Sequence, residues 1–579
     1  MIDLRVQRLN EDGATLPPVF VFAHEPGASA IRAHVSTDMF GDSSGIEAWV
    51  QDERRSVVAI DMRGTGSSGV IRCPALQRSG LTAGAAAVRE CAASLGERAR
   101  LYGVDDLVAD VEAVRVALGI PRVALFGDGF GASIAIAYAR EHPANVERMV
   151  LQSPRGAGPL DPLYSAGMQA VPALLTALCR RGCARIAPHP VADLTRLSSR
   201  IATSGLSADI PSAAGGRRKI AVHAFELFSL VAGGGSDPFA LARFPGEVHS
   251  AVHGDPLPLL RTISGKRTRA LSERPSSVRV SAGAAAAQVC DSANLPWPPG
   301  TPEALRSARA QQFVASLPTD SFGPFGSAAA LGSDLVMLCS GWPSAGARQR
   351  SEKPLPDVPT LVLVGSASLL APLAEAREIG IELPFAQVVQ GQGFWENPLF
   401  EDPSLCVHGE VTDFLQGKGV EGGCGTYMSI RPVPPPPRAL RQVRPVGASG
   451  RAGRTANAVR LTVRDTFAGL LAIRRGRTFR VPGVRNGSAV FRVSRKPRRQ
   501  PSTLLRLRSI SYVPGVRLSG ALRFESNEIR GHIRVNGPIA ARGVVHVRRD
   551  VMRGKLGGRP VRLPFTDNFL FDLGVANGY

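Results

Sequence analysis

The chain of 579 residues predicts an α/β protein: a parallel sheet interrupted by a helical cap and followed by a small, basic, all-β C-terminal module. Three observations predict it. Short apolar strands alternate with helical stretches through residues 1–155, that rhythm gives way to Ala- and Leu-rich helices over 156–351, and strand signals return over 352–430. Past residue 431 the charge changes sign and closely spaced turn residues take over.

The first strands are expected over 19–22, 57–61, 123–126 and 149–151, each a short apolar run. A helix before the third of these carries Leu107, Val108, Val111, Val114 and Leu118 on one face and ends at Gly119. Alternation of this kind requires a sheet covered on both faces. Cap helices are expected over 170–179, 191–202, 221–231 and 302–315, and the sheet is completed by strands over 360–364 and 386–389. The prolines of 432–437 read as a stiff spacer within a Pro/Arg-rich linker over 431–450. Beyond it, in a module over 451–579, one helix over 456–471 precedes strands punctuated by Gly520, Gly531, Gly537, Gly543, Gly554 and Gly557.

The net charge of +21 is concentrated at one end. From Arg431 onward there are about 31 Lys and Arg against about 6 Asp and Glu, which leaves 1–430 slightly acidic. Composition bias toward arginine accounts for much of this; the reading with functional content is adhesion of the module to an anionic envelope polymer or a lipid surface. The module has few aromatic residues for base stacking, so no nucleic acid is expected.

Eight cysteines are spaced as if neighbours in sequence paired: Cys73 with Cys91, Cys179 with Cys183, Cys290 with Cys339, and Cys406 with Cys424. Eight cysteines allow 105 connectivities, so spacing alone leaves the set open. No C-x-x-C pair or histidine cluster offers a metal site, and no cofactor is expected. An even count without a metal pattern points to a secreted or cell-envelope protein. Residues 1–18 contain no apolar stretch of the signal-peptide kind, so the expectation is a truncated start. No run reaches the ~18 apolar residues that cross a bilayer.

The segment 123–140, VALFGDGFGASIAIAYAR, reads as a strand, a tight turn and a helix. It has the frame of a nucleophile elbow, G-x-S-x-G, with Gly127 and Gly131 in place but Gly129 at the apex. A dinucleotide-binding turn would space its glycines G-x-G-x-x-G and end the next strand on an acid, whereas that strand ends in Gln152, Ser153 and Pro154.

Asp61-Met62-Arg63-Gly64-Thr65-Gly66-Ser67-Ser68, Cys91-Ala92-Ala93-Ser94-Leu95-Gly96, the elbow and Glu141-His142-Pro143 together resemble the α/β-hydrolase fold. They are similar in particular to the secreted tripeptidyl-aminopeptidase-like and proline-iminopeptidase-like peptidases, over about 18–430. The resemblance implies a serine nucleophile where Gly129 stands. It implies a carboxylate in the turn 365–372, where Ser368 stands, and a histidine where Phe394 follows Gly391-Gln392-Gly393. It implies an H-G-G-P-G oxyanion loop where the chain reads Ala23-His24-Glu25-Pro26-Gly27, completed by Phe130 after the apex. Glycine lacks the attacking hydroxyl, serine cannot stabilise an imidazolium as a carboxylate does, and phenylalanine moves no proton.

No catalytic residue is therefore expected, and the leading expectation is a pseudoenzyme that keeps a cleft for a peptide or acyl ligand, lined partly by Phe394 and Trp395. The alternatives are an active serine hydrolase of aminopeptidase or esterase type working through other residues, and the product of a decaying gene. Asp128 is expected to point away from the apex, Ser133 and His142 to serve packing, and Ser67 and Ser68 to bond the backbone of the Arg63 turn. His24 with Glu25 is the one acid–base pair the loop offers.

Overall fold

The structure, a computed structural model, describes residues 2–34, 55–79, 84–180, 182–272, 274–343, 353–383, 385–402, 404–424, 429–471, 478–494, 502–525, 528–565 and 575–576. They form two compact units, Met1–Leu174 with Ala270–Met428, and Leu175–Arg269 with Ser429–Tyr579.

The first unit holds strands β1 (Val6–Leu9), β2 (Val19–Phe22), β3 (Val57–Ile60), β4 (Val123–Asp128), β5 (Val146–Gln152), β6 (Thr360–Gly365) and β7 (Ala386–Gly391). They form one sheet in the order β1-β3-β2-β4-β5-β6-β7, with only β1 antiparallel to its neighbour. Every residue of β2, β3, β4 and β6 is buried, which is why these strands read as unbroken apolar runs. Helices α1 (Val104–Ala117) and α2 (Phe130–Glu141) cover one face, Leu107, Val111, Ile134 and Ala135 meeting Phe20 and Leu125. The helix Cys406–Leu415 covers the other, Val407, Val411 and Phe414 meeting Val21, Phe126 and Leu361.

Several charged groups of this unit are buried as pairs. Arg55, 1% exposed, holds Glu147 at 2.6 and 2.9 Å, and Arg63 holds Asp110 with two bonds of 2.6 Å. Asp61 accepts from Ser29 Oγ at 2.6 Å and from the Ser67 N–H at 3.0 Å, and Ser68 Oγ accepts the Arg5 N–H at 2.8 Å. Disulfides join Cys73–Cys91, Cys179–Cys183, Cys290–Cys339 and Cys406–Cys424. None of the helices among the described residues is long and apolar enough to cross a membrane.

The second unit differs from expectation in two places. The helix expected over 221–231 begins only at Ala224, because Arg217–Val222 pairs as a hairpin with Leu206–Pro211. Gly215 and Gly216, at φ 113° and 70°, make the turn that a helix would not tolerate. The prolines of 432–437 are not a free spacer. Val433 donates to the Ala242 carbonyl at 2.8 Å, and a Cβ on Gly246 would lie 2.9 Å from the Val433 carbonyl oxygen, so this run lies on the helix Pro238–Val252.

Helix α3 (Gly450–Leu471) is followed by strands β8 (Thr478–Pro482), β9 (Asn486–Ser494), β10 (Ser502–Ser511), β11 (Arg517–Glu525), β12 (Glu528–Asn536), β13 (Gly543–Arg548), β14 (Val551–Leu556) and β15 (Arg559–Pro564). Each strand pairs antiparallel with the next in an eight-stranded meander. Eight strands laid flat would span about 34 Å, yet α3, about 10 Å across, touches both edge strands. The sheet therefore curls around the helix, burying Ala456, Val459 and Val463 against Leu505, Ile533 and Val545.

Candidate functional site

The loops after β2, β4, β5, β6 and β7 leave the sheet at its carboxyl edge, where open α/β sheets place their ligands. The turn between β4 and α2 retains the steric demands of an elbow. Gly129 has φ 53° and ψ −111°, in the half of conformational space that disfavours side chains. A Cβ on Gly127 would come within 2.5 Å of Ala132 Cα, and one on Gly131 within 2.7 Å of Phe22 Cβ.

The loop after β2 lies against that turn. A Cβ added to Gly129 would lie 2.7 Å from the His24 carbonyl oxygen and 2.8 Å from His24 Nδ1. The His24 main chain and ring thus occupy the space of an apex side chain. The Phe130 N–H, the backbone donor next to the apex, donates to the His24 carbonyl at 2.9 Å, and the Gly131 N–H donates to Ala23 at 3.1 Å. An oxyanion hole needs such a donor directed at substrate.

His24 does not pair with Glu25, which is exposed. Its Nδ1 lies 2.8 Å from Asp128 Oδ1, so Asp128 turns toward the loop and not away from the apex. Burial opposes charge on this imidazole, but the attraction and hydrogen bond of Asp128 outweigh it and hold His24 above the usual histidine value of 6.5. His34 lies close by, edge-on to Phe126 at 6.2 Å and stacked on Phe400 at 6.5 Å, and burial holds it below 6.5.

Ser368, 4% exposed, accepts the Ala371 N–H at 3.1 Å and donates to Glu396 Oε1 at 3.4 Å. Glu396 also accepts from the Leu369 and Leu370 backbone. A carboxylate from the loop after β7 thus sits in the backbone cradle of the loop after β6. Burial pushes Glu396 up, and burial together with Glu396 pushes Glu401 up to about 7. Glu375 is pushed up to about 8, chiefly by burial.

Phe394 and Trp395, expected along a cleft, are 1% and 2% exposed. Phe394 joins Phe126, Val389 and Leu399 in the apolar layer beneath the sheet. Its ring would meet a Cβ on Gly391 at 2.1 Å, so it is held as a core residue. Ser133 lines a hollow of about 110 Å³ with Phe130, Ile136 and Asp291, and the lining does not include Gly129, His24 or Ser368. His142 ends α2, its N–H donating to Tyr138 at 2.8 Å. Among the described residues one trio has metal-ligand spacing, Asp402 with Cys406 and Cys424, but those sulfurs are bonded to each other.

The pattern described as alpha/beta hydrolase fold matches residues 44–177, and the pattern described as TAP-like protein matches residues 324–423. Proline iminopeptidase of Xylella fastidiosa is 51% identical over 47 residues, and that of Neisseria gonorrhoeae 47% identical over 47 residues. Each match covers 8% of this chain and only 15% of the relative. Among solved structures, a meta-cleavage product hydrolase from Pseudomonas fluorescens IP01 is 13% identical with a TM-score of 0.32, covering 72% of this chain and 95% of that one. A thermophilic esterase from Thermogutta terrifontis is 15% identical with a TM-score of 0.28, covering 72% of this chain and 94% of that one. The chain has the α/β-hydrolase fold with a TAP-like segment, and its resemblance to proline iminopeptidases is confined to a short stretch.

Proposed function

We propose that this protein is a catalytically inactive member of the hydrolase fold that has kept the scaffold for a binding role, with a peptide or acyl group as the ligand class. One observation carries the reading: the apex is Gly129, the His24 loop fills the space above it, and the His24 carbonyl takes the Phe130 N–H. Nucleophile and oxyanion donor are affected together, and the loss of a triad alone removes roughly 10⁶ in rate. Ser368 and Phe394 at the other two triad positions support the same reading. Four disulfides support an oxidising, extracellular setting. A serine-directed fluorophosphonate tests it: the folded chain should not be labelled, and stoichiometric labelling would refute the proposal.

A second reading is favoured by the His24–Asp128 pair. With Nδ1 held by Asp128, His24 Nε2 is a candidate general base for water, and the side chain is 24% exposed. It requires ester turnover that disappears in His24→Ala and survives the fluorophosphonate.

A further inference from the structure

The outer face of the curled sheet carries a lattice of cations that folding does not explain. In an antiparallel sheet, residues directly opposite one another share a face. Arg523, Arg530 and Arg548 form one row across β11, β12 and β13. His532, His546, Arg553 and Arg562 form the next across β12 to β15. Arg534 and Lys555, separated by Val544, continue the pattern in a third row. All of these side chains are exposed, while the alternating positions, among them Ile533, Val545 and Met552, are buried.

Like charges placed directly opposite one another destabilise a sheet, and here Arg523 faces Arg530, Arg530 faces Arg548, and Arg553 faces Arg562. Two carboxylates relieve one end: Glu525 pairs with Arg523 at 3.4 Å and Glu528 pairs with Arg530. Among the described residues, Arg534, Arg548, Arg553, Lys555 and Arg562 have no ion-pair partner. The strand arginines of the first unit's sheet have carboxylates beside them, Arg8 with Glu11 at 3.4 Å and Arg148 with Glu147 at 3.2 Å. Arginine-rich composition alone does not explain that contrast.

We propose that the outer face of β12 to β15 is a docking surface for a linear, phosphate-bearing polyanion outside the cell. Strand geometry sets the cations about 5 Å apart across the sheet and about 7 Å apart along a strand, a spacing that a phosphodiester chain can follow. Arginine suits phosphate because its planar fork bonds two oxygens at once. Among the described residues the rows carry no Phe, Tyr or Trp to stack on bases, their rings being the imidazoles of His532 and His546, and the apolar side chains on this face are small, Val544 at 36% exposed with Val551 and Pro560, which gives little to insert into a bilayer. The surface lies in the second unit, so the proposal does not depend on the fate of the site at Gly129.

The test measures binding of the full-length protein to poly(glycerol phosphate) across a salt series. A triple variant on the face, Arg548→Gln with Arg553→Gln and Arg562→Gln, is compared with one of equal charge off it, Arg441→Gln with Arg444→Gln and Arg451→Gln. The expected result is that affinity falls with salt, that the face variant binds roughly tenfold more weakly, and that the other binds within about twofold of the unaltered chain. Equal loss in both variants would mean that only net charge matters and would overturn the assignment. So would no salt-dependent binding, or tighter binding to phosphatidylglycerol vesicles or single-stranded DNA than to the polymer. Circular dichroism of both variants separates loss of binding from loss of fold, and neither variant touches the site tested by the fluorophosphonate.

Discussion

The turn at Gly127–Gly131 and the loop at Ala23–Gly27 face each other, and they differ in what holds them. The turn is fixed by main-chain and Cβ atoms of the sheet and of its own helix, at 2.5 Å for Gly127 and 2.7 Å for Gly131. The loop is held by hydrogen bonds and an ion pair instead, with the His24 carbonyl and ring in the apex space. The difference teaches that the glycines of an elbow are packing requirements first. Gly127 and Gly131 are required by packing whatever residue stands at the apex.

Stability measurements sharpen that comparison most strongly. Gly127→Ala or Gly131→Ala should cost about 3 kcal/mol or more in urea unfolding, since the clashing atoms belong to the sheet and helix backbone. Gly129→Ser should cost less, about 1–2 kcal/mol, because the atoms it meets belong to the His24 loop and not to the sheet or helix backbone. Equal losses at all three positions would break the distinction. Next in size, adding His24→Gly to Gly129→Ser should return about 1 kcal/mol relative to additivity, read from a double-mutant cycle.

Two partly buried carboxyl groups, Glu375 in the helix Leu373–Glu382 and Glu401 at the end of Pro398–Glu401, give a pH dependence with a definite sign. Glu375 and Glu401 have folded values of about 8 and about 7, above the ordinary 4.5, so the folded state holds more protons than the unfolded one between them. Stability is then lost as pH rises from about 4.5 toward 8. Glu375→Gln should flatten this slope, by about 2 kcal/mol across the window after allowing for partial solvent access. His24 acts in the same direction, since its raised value favours the fold at low pH and the gain fades as pH rises through it. Asp128→Asn should lower the His24 titration midpoint in an NMR pH series, and an unchanged midpoint would refute the pairing.

Much of the first unit was legible because its signals are local. Residues 19–22 and 360–364 are apolar runs that burial on both faces demands, and the glycine spacing at 127–131 states a steric rule. What stayed hidden depends on distant partners. His24 and Asp128 are 104 positions apart, and nothing near either one marks the other. Glu396 enters the cradle of the loop holding Ser368 from 28 positions away. The place of Phe394 in its motif points to a cleft, and only the distant layer of Phe126, Val389 and Leu399 claims it for the core. The hairpin closed at Gly215–Gly216 is hidden in the sequence because Val222 also fits the apolar pattern of the helix expected over 221–231.

The most direct test of the central claim is turnover by the unaltered, full-length chain on aminoacyl p-nitroanilides and short acyl p-nitrophenyl esters, with His24→Ala measured beside it. The account predicts rates at the uncatalysed background for both proteins. Saturable turnover in the unaltered chain that falls at least tenfold in His24→Ala would contradict it and establish His24 as a working base.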